Sequence, residues 1–353
     1  MNSHNTHRQL TFAREYRGIT QTELASRVSG LSQSNLSKYE KGLSTLSDDL
    51  LSRIMDSIGF PMAFLDVSIR NEAEDKHYRK KASVGKSARG IIDRFVSIVA
   101  YCYDWMNDMM DFPSFGFSYF DIESGFTPEE VARNIRRKLR LGVEPVRNIV
   151  NLIEANGIVV YMWDCKHDDF DGVSMITDRG NHIIIVNRNM SNDRVRFTLA
   201  HELGHILMHQ SVDFVISESR DREKEANAFA SEFLLPSQAL KTQLVGMKFS
   251  DLPALKRYWQ ASMASIARRS YDLGCMDRTK YTTFMTELSR NGWRKNEPYP
   301  VDIDNAVLFT SAYSLLSNEL GYSDSTIADL TSLPLDVVGK VYNNRRVIRF
   351  PVK

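Results

Sequence analysis

The sequence predicts a mainly α chain with one small β-sheet: an α+β unit preceded by a short all-α unit with a helix-turn-helix plan. Three observations carry that expectation. Two β-branched runs, residues 158–163 and 182–186, are bounded by Asn156-Gly157 and Arg179-Gly180-Asn181, as strands closed by turns are. Apolar stretches of helical period follow at residues 197–208 and 221–236. Near the start, two short amphipathic segments are joined by Ser29-Gly30-Leu31. At 353 residues, 42% hydrophobic and 25% charged, the chain has the make-up of an ordinary globular protein with two or three domains. We divide it into 1–69, 70–126, 127–300 and 301–353.

In the first segment, Gln21–Val28 forms one amphipathic helix and Ser32–Lys41 a second, with Ser32 as its N-cap and Gly42 as its end. Ala25, Val28, Leu31 and Leu36 make the inner face. Gln33, Ser34 and Asn35 stand at the N-terminal end of the second helix, followed by Ser37 and Lys38. Such side chains can read base edges in a major groove, with Lys38 better suited to phosphate. Net charge sets a bound on that reading. With 45 Lys+Arg against 44 Asp+Glu the chain carries only +1, so affinity for double-stranded DNA must come from local patches. The stretch Lys76, Arg79, Lys80, Lys81, Lys86, Arg89 and Arg94 is one such patch, either a source of phosphate contacts or a solvated helix face.

Residues 70–86 are polar and read as a linker. Residues 87–111 are helical and apolar, with Ile91, Ile92, Phe95, Ile98, Val99 and Tyr103. An aromatic connection at 111–120 can cover the unit that follows or contact a partner. Residues 128–156 read as two helices. The two β-branched runs come next, with 173–176 as a hairpin partner for the second. The edge of this sheet can accept an extended peptide as an added strand, or the sheet can serve only as a packing layer.

The most informative segment is His201-Glu202-Leu203-Gly204-His205. Positions i and i+4 share a helix face, so both imidazoles can reach one ion, with a carboxylate beside it to take a proton from water. Ser191 or Asn192 can cap this helix. A catalytic zinc ion usually keeps three protein ligands. The next helix, ended by Pro236, has the apolar stripe Ala226, Phe229, Ala230, Phe233 and Leu234. Glu223 extends that stripe and is assigned as third ligand. Glu225 projects elsewhere, with Glu232, and is the runner-up. Asn227, one turn after Glu223, can orient a ligand or make an ordinary amide bond. His209 lies about 12 Å along the axis from His201, too far to share the ion, and reads as a helix-end residue or a donor to a ligand. His167 and His182 can line the cleft, but read first as surface or strand-end imidazoles.

From about Thr127 to Pro300 the chain resembles the ImmA/IrrE family of metallopeptidases. The resemblance rests on residues 201–205, Glu223-Lys-Glu-Ala-Asn-Ala-Phe-Ala230, Leu234-Leu-Pro236, and the later motifs Trp259–Met263, Asp272–Gly274 and Leu288–Lys295. It implies a zincin-like peptidase domain that binds Zn2+ through His201, His205 and Glu223, with Glu202 as the catalytic carboxylate. Members cleave repressors and toxin–antitoxin partners in bacteria and their mobile elements. Roughly residues 6–66 resemble the XRE/Cro-type helix-turn-helix family, through Thr20-Gln21, Leu24-Ala25, Gly30–Ser34, Leu36-Ser37, Tyr39-Glu40 and Gly42. That resemblance implies that Gln21 starts its helix against a phosphate and that Gln33, Ser34 and Asn35 face bases.

Residues 327–340 parallel 24–38 with one residue removed, a second unit of similar plan. Its reading positions, Leu335, Asp336 and Val337, suit bases poorly and point to packing or dimerisation. The odd cysteine count (Cys102, Cys165, Cys275) argues against a disulfide framework, and no stretch is long enough to span a membrane, so a reducing, cytoplasmic, nucleoid-associated location is expected. The expected function is a DNA-binding regulator with a zinc endopeptidase, acting as a homodimer on operator half-sites and cleaving a repressor, an antitoxin or itself. The alternatives are a transcription factor whose second unit senses without hydrolysis, and a toxin–antitoxin component acting by protein contact.

Overall fold

Local capping sets the boundaries of the N-terminal unit. The computed structural model describes residues 6–69, 86–167, 170–211, 213–294, 296–302 and 305–342. It begins with α1 (Thr6–Tyr16), α2 (Gln21–Arg27), α3 (Gln33–Glu40) and α4 (Asp48–Ile58). Thr20 and Glu23 bond each other's backbone N–H groups, the reciprocal box that starts α2. The Ser32 hydroxyl accepts from Asn35 N–H at 3.1 Å and starts α3. Leu24 and Leu36 are fully buried between the two helices, with Val28 and Leu31 beside them, while Ala25 is only partly covered.

α5 (Lys86–Asn107) is more than a connector. Ile92, Phe95, Val96, Val99 and Tyr103 are buried in the same core as α1. Arg94 does not face solvent as a phosphate-binding side chain would. Its guanidinium pairs with Glu15 of α1 at 2.6 Å and lies over the Phe12 ring, because the charged rims of α1 and α5 meet there. Arg89 is exposed. Lys76, Arg79, Lys80 and Lys81, with residues 70–85 of the expected linker, lie outside the described residues.

α6 (Pro128–Lys138) and α7 (Ile149–Glu154) lead into β1 (Ile158–Trp163), β2 (Gly172–Ile176) and β3 (His182–Asn187). The sheet order is β1-β3-β2, with β1 parallel and β2 antiparallel to β3. Side chains alternate between the two faces, as a strand period of two requires. Ile158, Val160, Ile184 and Val186 enter one core, and Val159, Tyr161, Val173, Ile183 and Ile185 enter the other.

The first of these cores contains α8 (Asn192–His209) and α9 (Arg222–Leu234), followed by α10 (Ser237–Leu244), α11 (Leu252–Trp259), α12 (Met263–Asp272) and α13 (Arg278–Arg290). Ser191 stands at the N-cap of α8 without a side-chain cap bond. Asn192 instead donates to Val301 O at 2.7 Å. The second core joins the other sheet face to α5, the N-terminal unit, α14 (Leu308–Ser314), α15 (Asp324–Thr331) and α16 (Leu335–Tyr342). One hydrophobic core therefore runs through residues of the first, second and last expected segments. The C-terminal pair α15–α16 packs inward through Val337, Val338 and Val341, and Asp336 forms a bidentate pair with Arg17 at 2.6 and 2.9 Å. Its would-be reading end thus faces the N-terminal unit, while Leu335 is exposed.

The aromatic connection straps the sheet to α8. Phe115 stacks on His182 with centroids 3.9 Å apart, the Tyr119 hydroxyl bonds His182 Nε2 at 2.6 Å, and Phe120 N–H donates to Leu207 O. Gly157, at φ +78°, leaves room for the backbone of Ser114 and Phe115, which any side chain there would strike.

Candidate functional site

The geometry of the site comes from two helices crossing at a glycine. On α8, His201 and His205 lie one turn apart and turn their rings to the same side. On α9, Asp221 caps the helix through Lys224 N–H, which sets the first-turn position of Glu223. Gly204 lets the helices approach. A Cβ there would stand 2.9 Å from Phe229 Cδ1.

The three expected ligands come together. His201 Nε2 and His205 Nε2 are 3.0 Å apart, and the Glu223 carboxylate lies 3.6 Å from the first and 3.4 Å from the second. A tetrahedral ion bound at roughly 2.0–2.1 Å separates its donors by about 3.3 Å, so these three enclose a position of the right size. Among the described residues this is the one cluster of three or more such groups able to hold a metal ion.

For neutral imidazoles, the acceptors around the three rings imply which nitrogens carry protons. Asn227 Oδ1 lies 3.2 Å from His201 Nδ1 and can only accept, so that nitrogen donates and Nε2 keeps its lone pair. The Glu225 carboxylate lies 2.9 Å from His209 Nε2 and also only accepts, so His209 donates there and accepts at Nδ1. His205 Nδ1, 2.9 Å from His209 Nδ1, must then be the donor, which leaves its Nε2 lone pair facing the same point as that of His201. Two lone pairs and a carboxylate converging in this way repel one another unless a cation lies between them. The donor set therefore fits a divalent metal ion.

Glu225 thus has a role different from the one weighed for it. It braces His209, and Arg220 pairs with its other oxygen at 2.7 Å. It does not cluster with Glu232, which is buried against Arg269 and Ser237 further along α9. Glu223 does not continue a buried stripe either. Its side chain is 39% exposed, so the ligand position opens to solvent. His182 is buried at the start of β3 and is not part of the ligand cluster, and burial pushes its pKa down to about 4.

Glu202 points to the sheet side of α8. It is buried, and its Oε2 accepts from the Ser174 hydroxyl of β2 at 2.7 Å. Gln210, just past α8, donates to Ser174 through its amide. Sequence reasoning missed Ser174 and Gln210. The available signal was a lone hydroxyl in the strand Gly-Val-Ser-Met-Ile, on the face that meets α8.

In the N-terminal unit, Gln33, Ser34, Asn35 and Lys38 are exposed on α3, and Ser37 is half-buried. Gln21 begins α2 but is engaged internally. Its amide donates to Glu40 at 2.7 Å and its oxygen accepts from Gln33 at 2.9 Å, while Glu40 is held by Arg14. Among the described residues no helix is long and apolar enough to cross a membrane.

Residues 154–271 match the family model described as the IrrE N-terminal-like domain, and residues 12–65 match the helix-turn-helix model. No curated protein matches the chain. The first match spans α8 and α9 with every residue of the ligand triangle, and the second spans α2 and α3. These two separate matches identify the chain as a fusion of a helix-turn-helix domain with a metallopeptidase-like IrrE N-terminal-like domain.

Proposed function

We propose that this protein is a DNA-binding transcriptional regulator whose second domain is a zinc-dependent endopeptidase that cleaves a repressor, an antitoxin or its own chain. The observation that carries the reading is the ligand triangle, with His201 Nε2 and His205 Nε2 3.0 Å apart and the Glu223 carboxylate 3.6 and 3.4 Å from them. Asn227 on one side, and the Glu225–His209 relay on the other, leave two imidazole lone pairs and Glu223 aimed at one point. His201, His205 and Glu223 would hold the ion. When bound, it supplies Lewis acidity that polarises a peptide carbonyl and makes a water acidic.

The rest of the chemistry belongs to the chain. Glu202 takes the proton of the attacking water and passes it to the leaving amine. Ser174 donates to one Glu202 oxygen, which holds the carboxylate in place. The half-exposed Glu223 keeps the site open to a chain arriving from solvent. β2, an edge strand lying against α8, supports docking of an extended segment.

DNA reading is assigned to α3, with Gln33, Ser34, Asn35 and Ser37 toward base edges and Lys38 toward phosphate. The Gln21–Gln33 bond prearranges the two amides next to the groove, with Gln21 near a phosphate. The core shared by the helix-turn-helix unit, α5 and the back of the sheet also favours a second reading, in which occupancy of the site changes DNA affinity without hydrolysis.

The Glu202→Gln variant separates the two. On the first reading it retains zinc and operator binding and loses cleavage of its substrate and of itself. Cleavage at the parental rate by this variant would remove Glu202 as the base.

A further inference from the structure

The outer edge of the sheet is closed at one residue, and by a side chain. β2 is an edge strand whose ladder runs from Gly172 opposite Val186 to Ile176 opposite His182. Just beyond its ends, Asn187 N–H donates to Asp171 O and Thr177 N–H donates to Asn181 O. Antiparallel residues alternate between facing the partner strand and facing away. With Asp171 and Thr177 facing β3, the even-numbered residues Gly172, Ser174 and Ile176 turn their N–H and C=O outward. An outward pair of this kind is what an extended chain uses to add a strand. Ser174 is also the residue that orients Glu202.

Gln210 occupies that position. From the C-terminal end of α8 its Nε2 donates to Ser174 O at 3.1 Å and to Ser174 Oγ at 2.9 Å. The main-chain oxygen can only accept, so the amide nitrogen must be the atom that faces it. The other end of the amide, Oε1, is buried with no hydrogen-bond partner among the described residues. Ser174 itself is fully buried. The side chain thus makes the bond that a substrate N–H would make, and leaves its own oxygen unsatisfied in doing so.

We propose that Gln210 is a latch on the main-chain subsite of the peptidase domain, standing in for one backbone N–H of the substrate. This rests on the peptide-hydrolase reading above. A substrate residue displaces the latch when its N–H takes over Ser174 O and its C=O accepts from Ser174 N–H, while the Gln210 amide swings into water and satisfies Oε1. Only an extended segment offers both groups to one edge residue. The substrate class is therefore an unfolded or strand-forming stretch of polypeptide, and a helix or a compact surface is excluded from the site.

The test uses the full-length zinc-loaded protein and fluorescein-labelled β-casein, an unfolded chain. Gln210→Met keeps the bulk and removes the donor, and Gln210→Ala serves as a second variant should the first disturb folding. The latch predicts that KM falls roughly three- to tenfold, the range set by the loss of the hydrogen bond that competes for Ser174 O. In a Glu202→Gln background the casein Kd, read by anisotropy, tightens by the same factor. An unchanged or weaker Kd in a variant that melts like the parent overturns the latch, even if the parent cleaves casein. A tightened Kd without cleavage by any form leaves the latch standing and removes the hydrolase.

Discussion

Replacing Gly204 by alanine puts one methyl group between the two helices that carry the ligands. The new Cβ would lie 2.9 Å from Phe229 Cδ1, 3.1 Å from Cγ and 3.3 Å from Cβ. Relaxed carbon contacts are about 3.5–4.0 Å. Turning the ring can relieve the first two distances, but Phe229 Cβ is fixed to the backbone of α9 and the ring is stacked on Phe233. α9 must therefore retreat by some tenths of an ångström, and Glu223 and Asn227 move with it. Overpacking costs about 1–3 kcal/mol, against about 1 kcal/mol gained by alanine over glycine inside a helix, so the fold loses up to about 2 kcal/mol. Metal sites tolerate shifts of only about 0.5 Å, and zinc affinity should fall roughly 10- to 100-fold. Competition against a chromophoric chelator reads the affinity, and urea unfolding of chelator-stripped protein reads the stability. Gly339→Ala is the control. Nothing lies within 4 Å of a Cβ at that helical position, so it should gain about 0.5–1 kcal/mol and leave zinc binding unchanged. If Gly204→Ala bound zinc like the parent and gained stability like Gly339→Ala, the close crossing of α8 and α9 would not govern the ligand geometry.

Two further outcomes follow from other parts of the molecule. Burial holds the His182 pKa near 4, below the ordinary value of 6.5, so between those values the unfolded chain binds a proton that the folded one refuses, and stability falls as pH drops. From pH 7 to pH 5 that amounts to about 2 kcal/mol, and in chelator-treated protein His182→Phe should show a correspondingly flatter dependence of urea midpoint on pH; equal dependence in both would contradict it. On α3, Asn35→Ala should cost about 1–3 kcal/mol on the operator and little on unrelated DNA, while Lys38→Ala should weaken both alike and lower the salt slope by about one; the reverse pattern in filter binding would exchange their roles.

Much of the site was legible because it is local. The i, i+4 spacing of His201 and His205 fixes their shared face, and a helix after a loop supplies the third ligand. The same local logic failed at Glu225 and at the depth of Glu223. The angle at which α9 crosses α8 depends on Gly204 and Phe229 meeting, which no periodicity reveals. Ser174 and Gln210 were illegible because their meeting depends on strand register and on where α8 ends. The inward packing of α16 and the Glu15–Arg94 pair were hidden for a related reason. An amphipathic face looks the same in sequence whichever surface covers it, so the core shared between the helix-turn-helix unit and the sheet emerges only when the chain is folded.

The most direct measurement is zinc content and affinity of the full-length chain beside its Glu223→Gln and Glu225→Gln variants, by elemental analysis and chelator competition. The account predicts one zinc per chain in the parent, loss of tight binding when Glu223 is changed, and binding that is weakened but retained at one per chain when Glu225 is changed, since that residue only braces His209. A Glu223→Gln protein that keeps its zinc while Glu225→Gln loses it would contradict the ligand set.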